Sequence, residues 1–268
     1  MINEDTPMTE TLLISQVDAV TTLTISRPQI KNAVDAPTMN ALRAALAVCE
    51  TDGTRCIVIT GAGGAFSSGA DIMAAIQSGG GADDVYRTLT EAYGPTLLAI
   101  RASSWPVIAA VDGVAAGIGC DLALACDLRL VSARGRFSEI FIKVGLIPDG
   151  GGTYLLPRLV GLGRAMELMF TGDMVDAEKA LNWGMANAVL PTESFAADVQ
   201  TYAARIARQA PLALTRGKQA MLAAQTEGDY AAALAREATA QREIFGSEDG
   251  FEGFQAFVEK RPPVWKGR

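Results

Sequence analysis

The run Trp105 to Asp127, WPVIAAVDGVAAGIGCDLALACD, constrains this chain more than any other. Pro106 suits the start or edge of a strand. Val107 to Val111 is a short apolar run of the kind a buried strand shows, and Asp112-Gly113 ends it. Gly117-Ile118-Gly119 then opens a helix that stays apolar through Leu122-Ala123-Leu124-Ala125. A glycine turn entering a helix leaves backbone N–H groups without partners at the positive end of the helix dipole. Such a place receives negative charge. The same pattern also suits a plain strand-turn-helix whose glycines only permit close packing. Both readings fit this stretch taken alone.

A second stretch, RCIVITGAGGAFSSGADI from Arg55 to Ile72, repeats the design. Cys56 to Thr60 is another buried-strand run, and Gly61, Gly63 and Gly64 punctuate it. Two strands that each end in a glycine turn can bring two N–H groups onto one oxygen. The spacing G-x-G-x-A-F-x-x-G-A-D, followed by P-V-I-A-A-V-x-G-x-A-x-G, resembles the crotonase (enoyl-CoA hydratase/isomerase) superfamily. TISRPQIKNAVD near the start, GLIPDGGGT at 145–153 and GFQAFVEKR at 253–261 extend the likeness over almost the whole chain, in the family's order.

The 268 residues carry 49% hydrophobic but only 6% aromatic side chains, an economy of small aliphatic residues that suits α/β layers. The net charge of −7 argues against a nucleic-acid surface, which needs a basic patch. No apolar run is long enough to span a bilayer. Cys49, Cys56, Cys120 and Cys126 sit in apolar runs, away from metal or disulfide spacings, and read as free thiols in a reducing, cytoplasmic setting. The chain has no histidine, which excludes Ser-His and Cys-His nucleophiles and histidine bases. No metal site is expected. Acid–base chemistry falls to carboxylates, Lys, Tyr or Cys.

The order of elements follows from periodicity. Leu12 to Val17 and Val20 to Ile25 read as a hairpin. Asp35 suits the N-cap of a helix from Ala36 to about Glu50. Gln77 to Asp84 reads as a loop, Val85 to Arg101 as a helix, and Leu128 to Ser132 as a strand. Phe137 to Leu146 shows no clean period, and Pro148 to Thr153 reads as a glycine turn. Short helices are expected at 164–171 and 176–183, and a short strand at 187–190. After Pro191 the pattern is almost entirely helical. The resemblance implies that these elements form an α/β crotonase spiral of ββα units over residues 1–195, with an all-helical subdomain over 196–268.

The resemblance implies an acyl-CoA thioester substrate, with CoA as part of that substrate and no separate cofactor. It also implies a homotrimer or a dimer of trimers. Its oxyanion hole would use the N–H groups of Ser68 and Ile118. Glycine is usual at the second place, so the isoleucine side chain must fit without closing the pocket. Of the two hydratase glutamates, the first position holds Asp121 and the second Phe141, which cannot transfer a proton. Glu139 stands two residues away and is expected to point elsewhere. Asp149 in LIPDG sits where isomerases and dehalogenases of the family place their working carboxylate. Two carboxylates facing one pocket would push their pKa values apart. Lys31, Ala33, Ala70, Asp71, Phe141, Phe257 and Lys260 fall at substrate- or CoA-binding positions, though each lysine also suits a solvated surface and Asp71 a helix cap. Isomerisation through Asp149 is the favoured reading. Hydration or hydrolysis and a non-catalytic thioester-binding scaffold are its rivals.

Overall fold

The computed structural model describes residues 11–77 and 80–268. The polar stretch Met1 to Glu10 and the Ser78-Gly79 part of the expected 77–84 loop lie outside the described residues. Strands β1 (Leu12–Val17) and β2 (Val20–Ile25) form the expected hairpin, turning at Asp18 with φ 55°. Aspartate tolerates that left-handed geometry better than most residues. Strands β3 (Cys56–Gly61), β4 (Val107–Val111), β6 (Leu128–Ser132) and β9 (Ala188–Leu190) add in parallel, in the order β1-β2-β3-β4-β6-β9. A smaller sheet has β7 (Arg136–Ser138) at its centre, parallel to β5 (Val114–Ala116) and antiparallel to β8 (Val175–Asp176).

Alternation along the central strands explains their unbroken apolar sequence. Ile57, Ile59, Val107, Ala109 and Val111 face one core. Helices α1 (Ala36–Cys49), α4 (Gly94–Ala102) and α5 (Ile118–Ala125) fill it with Met39, Leu42, Leu97, Ile100 and Leu122. Cys56, Val58, Ile108, Ala110 and Leu130 face the other side, where Phe195, Val199, Ala203 and Ala207 of α9 (Phe195–Ala207) cover them. A parallel sheet buried on both faces needs apolar residues at every position. Asp35 caps α1 as expected, accepting the Thr38 N–H at 2.9 Å.

Several elements differ from the sequence expectation. After α2 (Ile72–Gln77), helix α3 (Ala82–Thr88) begins inside the expected loop, where the Asp84 carboxylate accepts the Gly81 N–H and stabilises the start. It reaches α4 through a π-helical turn at Leu89–Tyr93, so the expected single helix is three pieces. The stretch after the Pro148–Thr153 turn becomes α6 (Gly152–Val160), followed by α7 (Leu162–Thr171) and α8 (Ala177–Trp183). Helices α10 (Pro211–Ala224), α11 (Tyr230–Phe245) and α12 (Glu248–Glu259) complete the chain's helical C-terminal part.

Candidate active site

The two glycine turns meet. Ser67 bridges to Ala115 of β5, with the Ser67 N–H donating to Val114 O at 3.0 Å and the Ala116 N–H to Ser67 O at 2.9 Å. This fixes the first turn against the second. Gly117 joins β5 to α5 with φ 53° and ψ −131°, a conformation open only to glycine. Gly69, with φ 110°, backs onto it: a Cβ on Gly69 would stand 3.0 Å from Ala116 O and 3.9 Å from Gly117 Cα. Close approach of these two backbones is what the glycines permit.

One of the two donors expected from the sequence is not free. The Ser68 N–H donates to Lys31 O at 2.9 Å and is occupied. Two residues on, the Ala70 N–H has no acceptor among the described residues, while its neighbours Gly69 O and the Asp71 N–H are both paired with Val34. The register with Val34 points the Ala70 N–H away from that strand partner, as alternate residues of a parallel bridge do. The Ile118 N–H, at the first position of α5, likewise has no acceptor among the described residues. Its side chain does not enter a ligand space. It is 1% exposed, within the main core, with Cδ1 against Gly150.

Three carboxyl groups gather beside these turns. Asp121 lies in the first turn of α5 and is fully buried. Its Oδ2 accepts the Gly150 N–H at 2.9 Å, which ties α5 to the turn that carries Asp149. Burial first, and the neighbouring Glu139 second, hold the Asp121 pKa well above the carboxylate range, against the lowering effect of the Gly150 N–H. Glu139 was expected to point away. Instead it is 1% exposed and faces Asp121: a Cβ on Gly152 would stand 2.4 Å from Asp121 Oδ1 and 3.2 Å from both Glu139 oxygens. The chain leaves β7 at Ser138 and enters a 3-10 turn at Ile140–Val144, and Glu139 sits at the junction. Burial and then the Asp149 charge raise the Glu139 pKa.

Asp149 is the one carboxyl of the three that reaches solvent, yet the protein around it still raises its pKa by desolvation. Phe141 is buried, its ring edge 3.8 Å from the point where a Cβ on Gly117 would stand. Asp71 accepts Arg27 Nη2 at 2.8 Å and the Ala74 N–H at 3.0 Å, so it caps α2 and braces the first turn. The Ala33 carbonyl accepts Arg27 Nη1 at 2.7 Å. Lys31 is exposed in a left-handed conformation, and only its carbonyl reaches the first turn. Phe257 and Lys260 lie exposed on and just after α12, with no hydrogen bond or ion pair to either turn among the described residues. Asn32, which the sequence did not single out, is fully buried and gives Nδ2 to Ala62 O and Ala65 O, holding the first turn in shape.

Arrangement, in sum, offers two free N–H groups from adjacent turns, able to hold one developing oxyanion, and one solvent-open carboxylate anchored by a buried one. The anchoring is sterically tight. A Cβ on Gly150 would stand 2.3 Å from Ile118 Cδ1 and 2.6 Å from Asp121 Cβ. Gly150→Ala is therefore expected to lower the melting temperature through overpacking of about 1–3 kcal/mol. It should also lower turnover by displacing Asp149. Equal stability and turnover in calorimetry and steady-state assays would contradict this geometry.

Comparison with known proteins agrees with the fold. Residues 15–268 match the family model described as enoyl-CoA hydratase/isomerase. The chain is 39% identical over 251 residues to a probable enoyl-CoA hydratase of Rhodobacter capsulatus, covering 94% of this chain and 96% of that one. It is 37% identical over 263 residues to the 1,2-epoxyphenylacetyl-CoA isomerase of Escherichia coli, covering 97% and 100%. Its structure superposes on a putative enoyl-CoA hydratase of Streptomyces coelicolor with a TM-score of 0.92 at 34% identity, covering 100% of this chain and 98% of that one. With its paired glycine turns, its mixed α/β architecture and its helical C-terminal region, the chain belongs to the crotonase, or enoyl-CoA hydratase/isomerase, family.

Proposed function

We propose that this protein is an acyl-CoA isomerase in which Asp149 shifts a proton along an unsaturated or ring-derived acyl chain. Asp149 would take a proton from the carbon beside the thioester. The charge would pass to the thioester oxygen, held by the Ala70 and Ile118 N–H groups, and Asp149 would return the proton at a further carbon of the same chain. Ala70 replaces Ser68 in this role because the Ser68 N–H is already bonded.

The observation that carries the reading is the contrast among the three carboxyls. Asp149 alone is open to an incoming ligand, while Asp121 and Glu139 are shut off from solvent. A hydratase needs two carboxylates that can reach one water, and Phe141 stands at one of the family's two positions. Similarity to the epoxyphenylacetyl-CoA isomerase supports the same choice. Hydration is the second reading, favoured by the names of several relatives, among them the 2,3-dehydroadipyl-CoA hydratase of Escherichia coli. We place the enzyme in the cytoplasm as a trimer or a pair of trimers. Exposed Phe257 and Lys260 would then meet the CoA of an adjacent subunit, and Lys31 the CoA of its own.

The test is product mass from two probes. With 3-hexenoyl-CoA the expected product is 2-hexenoyl-CoA, unchanged in mass. With crotonyl-CoA little water addition is expected. Rapid hydration of crotonyl-CoA without any shift of the 3-enoyl double bond would reverse the assignment.

A further inference from the structure

Among the described residues, the buried side-chain oxygens that lack any hydrogen-bond partner are Asp121 Oδ1, Glu139 Oε1 and Glu139 Oε2. All three converge on the space above Gly152, where only a residue without a side chain fits. Buried polar atoms without partners are rare, and an isolated buried carboxylate is more costly still. Here two carboxyl groups face one another inside the protein. Burial acts most strongly on both; after it come Glu139 and Asp149 for Asp121, and the Cys120 thiol and Asp149 for Glu139, with no cation among them. One proton resolves the arrangement. A protonated carboxyl becomes a donor, and an O–H···O⁻ bond between the two groups engages two of the three orphaned oxygens while leaving a single charge.

We propose that Asp121 and Glu139 share one proton as a buried carboxyl pair, and that this pair positions Asp149 through the Gly150 N–H. The link is direct: Asp121 Oδ2 accepts the N–H of Gly150, the residue after Asp149, while Asp121 Oδ1 faces Glu139. Both Glu139 carboxyl oxygens are buried, so it acts through Asp121 as a positioning residue. Burial raises both groups toward retaining the proton, Glu139 raises Asp121 further, and the Asp149 charge adds to both. As pH rises and the shared proton leaves, two buried carboxylates repel and the Gly150 anchor shifts. Turnover should therefore fall on the alkaline side.

The activity arm of the test rests on the isomerase reading, so a spectroscopic arm stands beside it. The infrared spectrum of the ligand-free wild-type protein at neutral pH should contain a protonated-carboxyl band that moves with ¹³C-labelled glutamate or aspartate and is absent from Glu139→Gln. Absence of that band in the wild type overturns the proposal, whatever the substrate. In turnover of 3-hexenoyl-CoA, Glu139→Leu should lower kcat by on the order of 10- to 100-fold, because the base is misplaced. Its KM should change little. Glu139→Gln should recover most of kcat, since its amide donates to Asp121 Oδ1 at any pH, and its profile should lose the alkaline fall. A folded Glu139→Leu enzyme with wild-type kcat, or a Glu139→Gln enzyme with the wild-type alkaline fall, overturns the positioning role. Asp149→Asn separates the two claims: if it stays active, the isomerase reading fails, and if it is inactive while the Glu139 variants behave as wild type, only the pair fails.

Discussion

Asp149→Asn lowers turnover by on the order of 10²–10⁴-fold, the usual contribution of a positioned general base. Affinity for CoA thioesters stays within a few-fold. Asparagine matches the side chain in size and keeps the turn, whose fixed points are Gly150 on Asp121 and Gly151 in the left-handed region. It cannot take a proton. The pH profile carries the same signature. Asp149 works as a base only when ionised, and desolvation raises its pKa. The wild-type kcat/KM should rise with pH through a midpoint above the ordinary aspartate range, and any residual rate of the variant should lack that rise. Steady-state kinetics across pH, with binding followed by calorimetry, check both parts. Near-normal turnover by Asp149→Asn would remove the proton shuttle from the account.

Ile118→Pro is expected to cost on the order of 10²–10³-fold in turnover, the effect of losing one oxyanion donor. Proline is acceptable at the first position of a helix, where the N–H has no intrahelical partner. Gly117, with no side chain, tolerates a following proline better than any other residue. The structure also dictates the control. Because Ile118 packs in the core, cutting it back costs about 2–5 kcal/mol of stability whatever happens to the N–H. Ile118→Ala carries that loss and keeps the donor, so it should be less stable but still active. The gap in turnover between the two folded variants measures the N–H alone. A scaffold without chemistry would show no turnover in either, and equal turnover in both would place the oxyanion hole elsewhere.

Much of this site was legible in the sequence because its backbone demands are local. The hairpin at Asp18 and the strand Leu128–Ser132 have the bounds that periodicity assigns. The glycine turns at 61–69 and 113–119 are written as glycines because positive φ and close approach leave no alternative. What escaped depends on partners distant in the chain. Whether Ser68 or Ala70 keeps a free N–H is decided by Lys31 O and the Val34 register, some 36 residues upstream. Glu139 faces Asp121 from the junction of a strand with a 3-10 turn, and a segment without a clean period hides such a turn. The inward packing of Ile118 against Gly150 is likewise a tertiary fact.

The central claim is that Asp149 removes a proton at one carbon and returns it at another. The direct measurement uses 3-hexenoyl-CoA carrying deuterium at C2, with the label followed by NMR and mass spectrometry in wild-type and Asp149→Asn enzyme. The account predicts loss of label from C2 with a primary isotope effect, part of that label at C4 of 2-hexenoyl-CoA, and neither process in the variant. A wild-type product that has gained a water, with no label at C4, or transfer in Asp149→Asn at the wild-type rate, would contradict it.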